Sequence, residues 1–377
     1  MFFYPRLGLA GLVWGVILGA FLHLIIQLPA LLRGPLTFRL VDRAKTAPTG
    51  EWRKIFLLAW PRTLALSVSQ LTISALIAMA SYFAAGSIAI FNFAYNLQAV
   101  LLSIIGVSYS VAAFPTLVRL FTSGDRPQFV RQVAVVARHI IFWSLPTLAL
   151  FIVLRAQIVR VVLGSGRFDW ADTRLTAAAL AIFLVSVVAQ SLILLLVRGY
   201  YACGKTRQPL IINCFFSVLI VLLAFFFLWL IKAWPLFGDW LKTFLRVADL
   251  GETEILILPL AFTLGLVANL FVLWRSFRKD FGAFPPILAK SFWQSSATAL
   301  SAATASYLLL QVFAPVFDQT TFWGIFGQGF LAGLGGIFVG IIMLLKLKNE
   351  EVIEISRSLK QKFWRRAKPI LPTTNEL

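Results

Sequence analysis

The sequence predicts an all-α, polytopic membrane helical bundle of about nine transmembrane helices, and three observations carry that prediction. Of 377 residues, 60% are hydrophobic and only 13% charged, and the mean hydropathy is +0.87; soluble domains are roughly half apolar and a quarter charged. The apolar residues fall in runs long enough to cross a bilayer, which takes ~20 mainly apolar residues. The loops between those runs are basic, and their basic content alternates along the chain. No water-soluble core could absorb so much apolar surface, so lipid must be the solvent for much of it.

Nine segments have the required length and composition: about 7–32, 55–83, 87–117, 139–162, 173–198, 208–233, 255–275, 290–314 and 322–346. The first is longer than a signal-peptide core of ~7–15 residues and reads as a retained helix. Its Gly8, Gly11, Gly15 and Gly19 recur at spacings of three and four, a small-residue stripe that lets another helix approach closely. The third is the most polar, with Asn92, Asn96 and Gln98, and it ends at Pro115. After Lys346 the chain becomes charged. Val352, Ile355, Leu359 and Phe363 there have near-helical spacing, with acids first and Arg365, Arg366 and Lys368 last. That order suits a helix dipole and a helix lying on an anionic leaflet; a solvated charged tail fits the same residues.

Orientation follows from Lys and Arg. Intervals 33–54, 118–138, 198–208, 275–290 and 346–377 hold 25 of the 34, against 8 in the alternate intervals. Lysine and arginine resist translocation, so the richer loops are cytoplasmic. The N-terminus is then outward and the C-terminus cytoplasmic. The net charge of +19 belongs to these clusters, and nucleic acid is not an expected partner; anionic lipids at the basic loops and tail are.

Polar groups within lipid are costly and are candidate functional residues by default. Arg62 follows Pro61 inside the second segment, ~12 Å along the helix from Arg53 and Lys54 at 1.5 Å per residue. Facing a wet cavity it could hold a pyrophosphate through paired N–H donors; snorkelling to the interface would satisfy it equally. Ser67, Ser69 and Gln70 share its helix, and Asn92, Asn96 and Gln98 lie on the next. The candidate substrate-binding set is therefore Arg62, Ser67, Gln70, Asn92, Asn96 and Gln98.

Catalysis has little support. All fifteen acidic residues fall in loops, at helix ends or in the tail, so no intramembrane carboxylate relay is available. Asp169 and Asp172 in GSGRFDWADTR could supply an outer-loop base, but a turn followed by an N-cap explains them better. There is no triad arrangement, P-loop or zincin motif. His23 and His139 are isolated, and Cys203 and Cys214 form no CxxC pair. Neither a metal nor a cofactor is expected.

Four stretches carry a family resemblance: PRTLALSVSQ (61–70), SIAIFNFAYNLQAVLLSIIGVSYSVAAFPTL (87–117), GSGRFDWADTRLTA (164–177) and RGYYACGKTRQP (198–209). They resemble the MurJ/MviN family, lipid II flippases of the multidrug/oligosaccharidyl-lipid/polysaccharide exporter superfamily. The third looks like the family's G-x-G-x-F-x-x-x-D-T and the fourth like its R-x-F-Y-A-x-G-D-T-R-T-P. The chain departs from the family at Phe93-Ala94-Tyr95-Asn96-Leu97, where Y-A-D-R-L is common, and at Leu76, an acidic position in many members.

The resemblance implies fourteen helices in two six-helix lobes plus a C-terminal pair. On that scheme residues 1–54 supply the last helix of the first lobe and a cytoplasmic basic loop. Residues 55–280 form the second lobe, 281–347 the additional pair and 348–377 a basic amphipathic cytoplasmic tail. About five helices of the first lobe are then expected to be missing, and that lobe becomes an expected partner. The implied activity is alternating-access flipping of undecaprenyl-pyrophosphate-linked peptidoglycan precursor across the bacterial cytoplasmic membrane, without covalent chemistry. Three other readings remain: a flippase for another polyprenyl-linked glycan, a membrane glycosyltransferase using Asp169 or Asp172, and a non-transporting scaffold acting through its tail.

Overall fold

The computed structural model describes residues 4–33, 51–347 apart from 165, 167, 252 and 286, and then 349, 351 and 352. Among them the chain is helical and contains no strand. The elements are α1 (Tyr4–Arg33), α2 (Glu51–Ala80), α3 (Ser87–Leu101), a π-helical turn (Leu102–Val107), α4 (Ser108–Thr122), α5 (Arg126–Val153), α6 (Arg155–Leu163), α7 (Trp170–Ala202), α8 (Arg207–Ala233), α9 (Pro235–Leu245), a 3₁₀ turn (Glu254–Leu256), α10 (Ile257–Phe281), α11 (Ile287–Phe313) and α12 (Phe322–Lys346). Eight helical stretches among the described residues are long and apolar enough to cross a membrane, with α3, the π turn and α4 counting as one. The first expected span contributes a shorter apolar stretch, Val13–Pro29.

The chain divides into two units, Met1–Phe56 and Leu57–Leu377. In the first, α1 exposes Val13, Trp14, Phe21 and Ile26, and a Cβ added at Gly15 or Gly19 would meet nothing within 4 Å. In the second, α7 is the axis. It packs against α3, α4, α5, α6 and α10, and its run Thr176–Leu184 is buried throughout. Four alanines in that run let neighbours close in, which matters where van der Waals contact replaces the hydrophobic drive between helices. Outer helices carry the opposite pattern. Ile211, Phe215, Val218, Leu222, Phe225 and Trp229 of α8 are all exposed; their spacing of three and four makes one lipid-facing stripe.

Two expected spans are redrawn. The segment placed at 139–162 begins at Arg126, so most of the basic interval 118–138 is helix rather than loop. Asp125 caps it, accepting from the Gln128 N–H at 3.0 Å, and Pro127 stands in the first turn. The helix ends at Val153, and α6 continues after Leu154. The interval 232–254, read as an external loop, contains α9, opened by Pro235 and burying Leu241 and Leu245. Aromatic residues Phe237, Trp240 and Phe244 stack along it. The polar third span is one continuous helix to Thr122, with the π turn beside α7. There a Cβ on Gly106 would come within 2.5 Å of Ser191 Oγ; only glycine permits that approach.

The pair α11–α12 packs on α5, with α12 also touching α6. Glycines along α12 form the seam: a Cβ at Gly336 would lie 2.7 Å from Leu150 Cδ2 and 2.9 Å from the Ala302 carbonyl oxygen. The start of the tail joins the same assembly. Glu351 is buried and pairs with the buried Arg138 of α5 (Oε1–Nε 2.9 Å), and Ser291 of α11 donates to the same carboxylate at 3.4 Å. Asn349 donates to Gln294 Oε1 at 3.0 Å, and Gln294 donates in turn to the Leu347 carbonyl. The rest of the tail, with its expected amphipathic helix, lies outside the described residues, as do residues 34–50.

Two expectations follow for stability. Gly336→Ala forces a methyl into a filled seam, and overpacking of this kind costs about 1–3 kcal/mol; thermal melting of the detergent-solubilised chain should fall accordingly. Glu351→Ala removes the carboxylate that Arg138 and Ser291 share. Losing a hydrogen bond to a charged group costs about 1.5–3 kcal/mol, so this variant should also melt earlier than wild type, and it should expose α11 to proteolysis.

Candidate functional site

The second unit encloses a cavity of about 420 Å³ between α2, α3, α7, α8 and α10. Its wall is mostly apolar, with Leu66, Ile193, Ile220 and Phe262 among its residues. Polar groups reach it from every one of these helices: Ser69 and Thr72 from α2, Tyr95 from α3, Gln190, Arg198 and Tyr201 from α7, Asn213 and Ser217 from α8, and Asn269 from α10. Arg198 is the one cation in the wall, half-buried near the end of α7. A concave, largely apolar site with a few convergent polar groups is the usual form of a small-molecule pocket.

Helix geometry explains how those groups are held. The Asn269 amide donates to Asn213 Oδ1 at 3.1 Å, tying α10 to α8. Gln190 donates to Gln98 Oε1 at 3.1 Å and to Ser186 Oγ at 2.7 Å, tying α7 to α3. Ser69 and Thr72 donate back to the Ala65 and Val68 carbonyls of their own helix. Tyr95 is fixed by Phe91, Phe183 and Phe262, whose ring centroids lie 5.8–6.3 Å away. Below Arg198, Tyr200 donates to Asp280 at 3.0 Å while Gln208 donates to Ser276 at 2.6 Å, so α7, α8 and α10 are bound together at that end.

The six residues selected from the sequence are not gathered around this cavity. The side chain of Arg62 lies outside the described residues. Ser67 and Gln70 are exposed on α2, and Asn96 is exposed on α3. Asn92 donates to the Ile88 carbonyl of its own helix at 2.9 Å. Gln98 is fully buried in the α3–α7 interface. The expectation that polar groups concentrate on two consecutive helices was too narrow, because α7, α8 and α10 supply most of the polar wall. The signal was present: Gln190, Asn213 and Asn269 each interrupt an apolar run, and Arg198 opens the RGYYACGKTRQP stretch.

Asp169 and Asp172 have a structural task. Each carboxylate accepts the backbone N–H of the other residue, at 2.8 and 3.2 Å, closing a capping box at the start of α7. Such a box satisfies two of the helix's otherwise unpaired donors. No group of three metal-ligating side chains occurs among the described residues.

Comparison with known proteins places this architecture. The family model described as "Lipid II flippase MurJ" matches residues 1–326. A probable lipid II flippase MurJ of Bdellovibrio bacteriovorus is 28% identical over 202 residues, covering 54% of this chain and 38% of that protein. The lipid II flippase MurJ of Burkholderia cenocepacia is 25% identical over 201 residues, covering 52% and 39%. The chain thus aligns with about two fifths of the length of these curated relatives. A solved structure named as lipid II flippase MurJ in an inward closed conformation superposes with a TM-score of 0.62 at 19% identity, over 97% of this chain and 65% of that one. The fold is therefore that of a multi-pass membrane protein of this type, and with the family model spanning most of its length the chain belongs to the MurJ lipid II flippase family.

Proposed function

We propose that the chain works in moving lipid II, the polyprenyl-pyrophosphate-linked peptidoglycan precursor, across the cytoplasmic membrane. The observation that carries this reading is the set of polar side chains exposed on α2 and α3, together with the 420 Å³ cavity that both helices help to wall. Ser67, Gln70 and Asn96 lie within membrane-spanning stretches yet are exposed in the second unit. In hydrocarbon each would cost several kcal/mol without partners, so this face belongs against a wet pathway. Arg198, Asn213 and Asn269 line the cavity itself. A guanidinium there offers paired N–H donors to a passing phosphate.

On this reading Ser67, Gln70, Asn92, Asn96 and Gln98 border or brace the pathway, and Arg62 provides a second cation along α2. Residues 55–280 act as one six-helix lobe, 281–347 as the added pair, and 1–54 belong to the opposing lobe. The basic loops lie in the cytoplasm, against anionic lipid. Transport proceeds by rocking one lobe against the other around the fixed site. The lobes exchange contacts, and no covalent bond is made or broken.

The test is lipid II translocation in cells depleted of their own flippase and supplied with this chain in its native genetic context. Arg198→Ala and Arg62→Ala should each slow transport about tenfold to a hundredfold, the loss expected for one charge-assisted hydrogen bond of ~1.5–3 kcal/mol, while the lysine variants retain part of it. Full transport in both alanine variants would remove the phosphate-binding role. Normal wall synthesis without the chain would remove lipid II as its cargo and favour another polyprenyl-linked glycan.

A further inference from the structure

Arg198 lies near one end of α7; a second and separate polar cavity lies at the other, ~36 Å away at 1.5 Å per residue. It measures about 530 Å³ and is walled by the start of α7, α6, the α9–α10 connection, α11 and α12. Three arginines line it: Arg155, Arg174 and Arg246. Among the described residues, only Arg174 of the three has a carboxylate, clasping Asp249 through two bonds of 2.5 and 2.6 Å. The same guanidinium donates to the Arg246 carbonyl at 2.6 Å. Asp318 is turned onto the Thr320 N–H and hydroxyl, and the Asp169 and Asp172 carboxylates accept each other's backbone N–H.

The two remaining cations are held in place at a cost. Arg155 is half-buried and donates to the Ile152 carbonyl at 3.0 Å. Burial, then the neighbouring Arg246 charge, holds its guanidinium below the usual arginine range. Arg246 adopts φ 60° and ψ 41° at the end of α9 and is the one non-glycine residue with positive φ among the described residues. L-residues avoid that region, and strain of this sort gathers at ligand sites. The strained turn brings the Arg246 guanidinium to 5.9 Å from the centre of the Tyr307 ring, on the wall of the cavity.

One further observation narrows the ligand. Trp170 and Phe244 also line the cavity while remaining exposed, as aromatic side chains do where protein meets the membrane interface. Two arginines without carboxylates among the described residues and an exposed aromatic rim call for an anionic lipid headgroup. The volume is within the ~300–1,000 Å³ common for small-ligand pockets.

We propose that this cavity is a headgroup site for an anionic lipid whose phosphate sits between Arg155 and Arg246. The site is separate from the 420 Å³ cavity and stands whether or not lipid II is the cargo. The phosphate could come from a phospholipid such as phosphatidylglycerol or from a polyprenyl phosphate; both present the same group.

The experiment uses the purified full chain in detergent. Lipid binding is followed by native mass spectrometry and by the shift in melting temperature, with phosphatidylglycerol, polyprenyl phosphate and neutral phosphatidylcholine as separate probes. At least one anionic lipid should bind the wild type and bind about tenfold or more weakly to Arg155→Gln and Arg246→Gly, a loss of ~1.4 kcal/mol; the arm that responds identifies the source. Glycine suits the left-handed turn, so Arg246→Gly should melt no earlier than wild type without lipid, and it keeps the test usable if Arg155→Gln does not fold. Lys242→Gln, on α9 outside the cavity, should bind as wild type does. Equal anionic-lipid binding by wild type and Arg246→Gly, or phosphatidylcholine binding as tight as either anionic lipid, would overturn the site.

Discussion

The second unit depends on one constraint: α7 lies inside the protein and must satisfy its neighbours without help from water or lipid. Small residues along its middle let α3, α5 and α10 come close enough for dispersion to hold them. Polar groups on it bond across helices, as Gln190 does with Gln98 and as the Ile182 carbonyl does in accepting from the Thr263 hydroxyl at 2.9 Å. Both ends are anchored by charge, through Arg174 and Asp249 at one and the Tyr200–Asp280 bond at the other. The outer helices are then free to present apolar stripes to lipid.

Much of this architecture was legible in composition. Runs of ~20 apolar residues located the spans because a bilayer admits few other structures. Boundaries near Arg126 and Pro235 were not legible. Membrane-span reasoning responds to hydropathy, whereas α5 begins in a basic stretch with its own cap, and α9 is amphipathic rather than apolar throughout. The π turn had no sequence signal beyond Gly106 and its flanking serines.

The candidate site was only partly legible, for a different reason. Polar residues in a span stand out, but the sequence does not say which of them bond across helices and which line space. Gln98 and Asn92 were chosen for polarity; one braces α7 and the other bonds to its own backbone. Asn213 and Asn269 are separated by most of two helices in sequence and meet only in the fold. The three arginines of the 530 Å³ cavity come from α6, α7 and the end of α9, so no local motif could announce them.

The buried pair between Arg138 and Glu351 bears on how the protein is made. The arginine emerges from the ribosome early, and α6 through α12 must follow before its acidic partner exists. Until then the start of α5 carries a charge that hydrocarbon will not accept, so that stretch has reason to stay hydrated at the membrane surface. Glu351 supplies one carboxylate for it and, with Ser291, ties α5, α11 and the start of the tail together. A product ending before residue 351 would lack that carboxylate, and the joint between α5 and α11 would lose the group that Arg138 and Ser291 share.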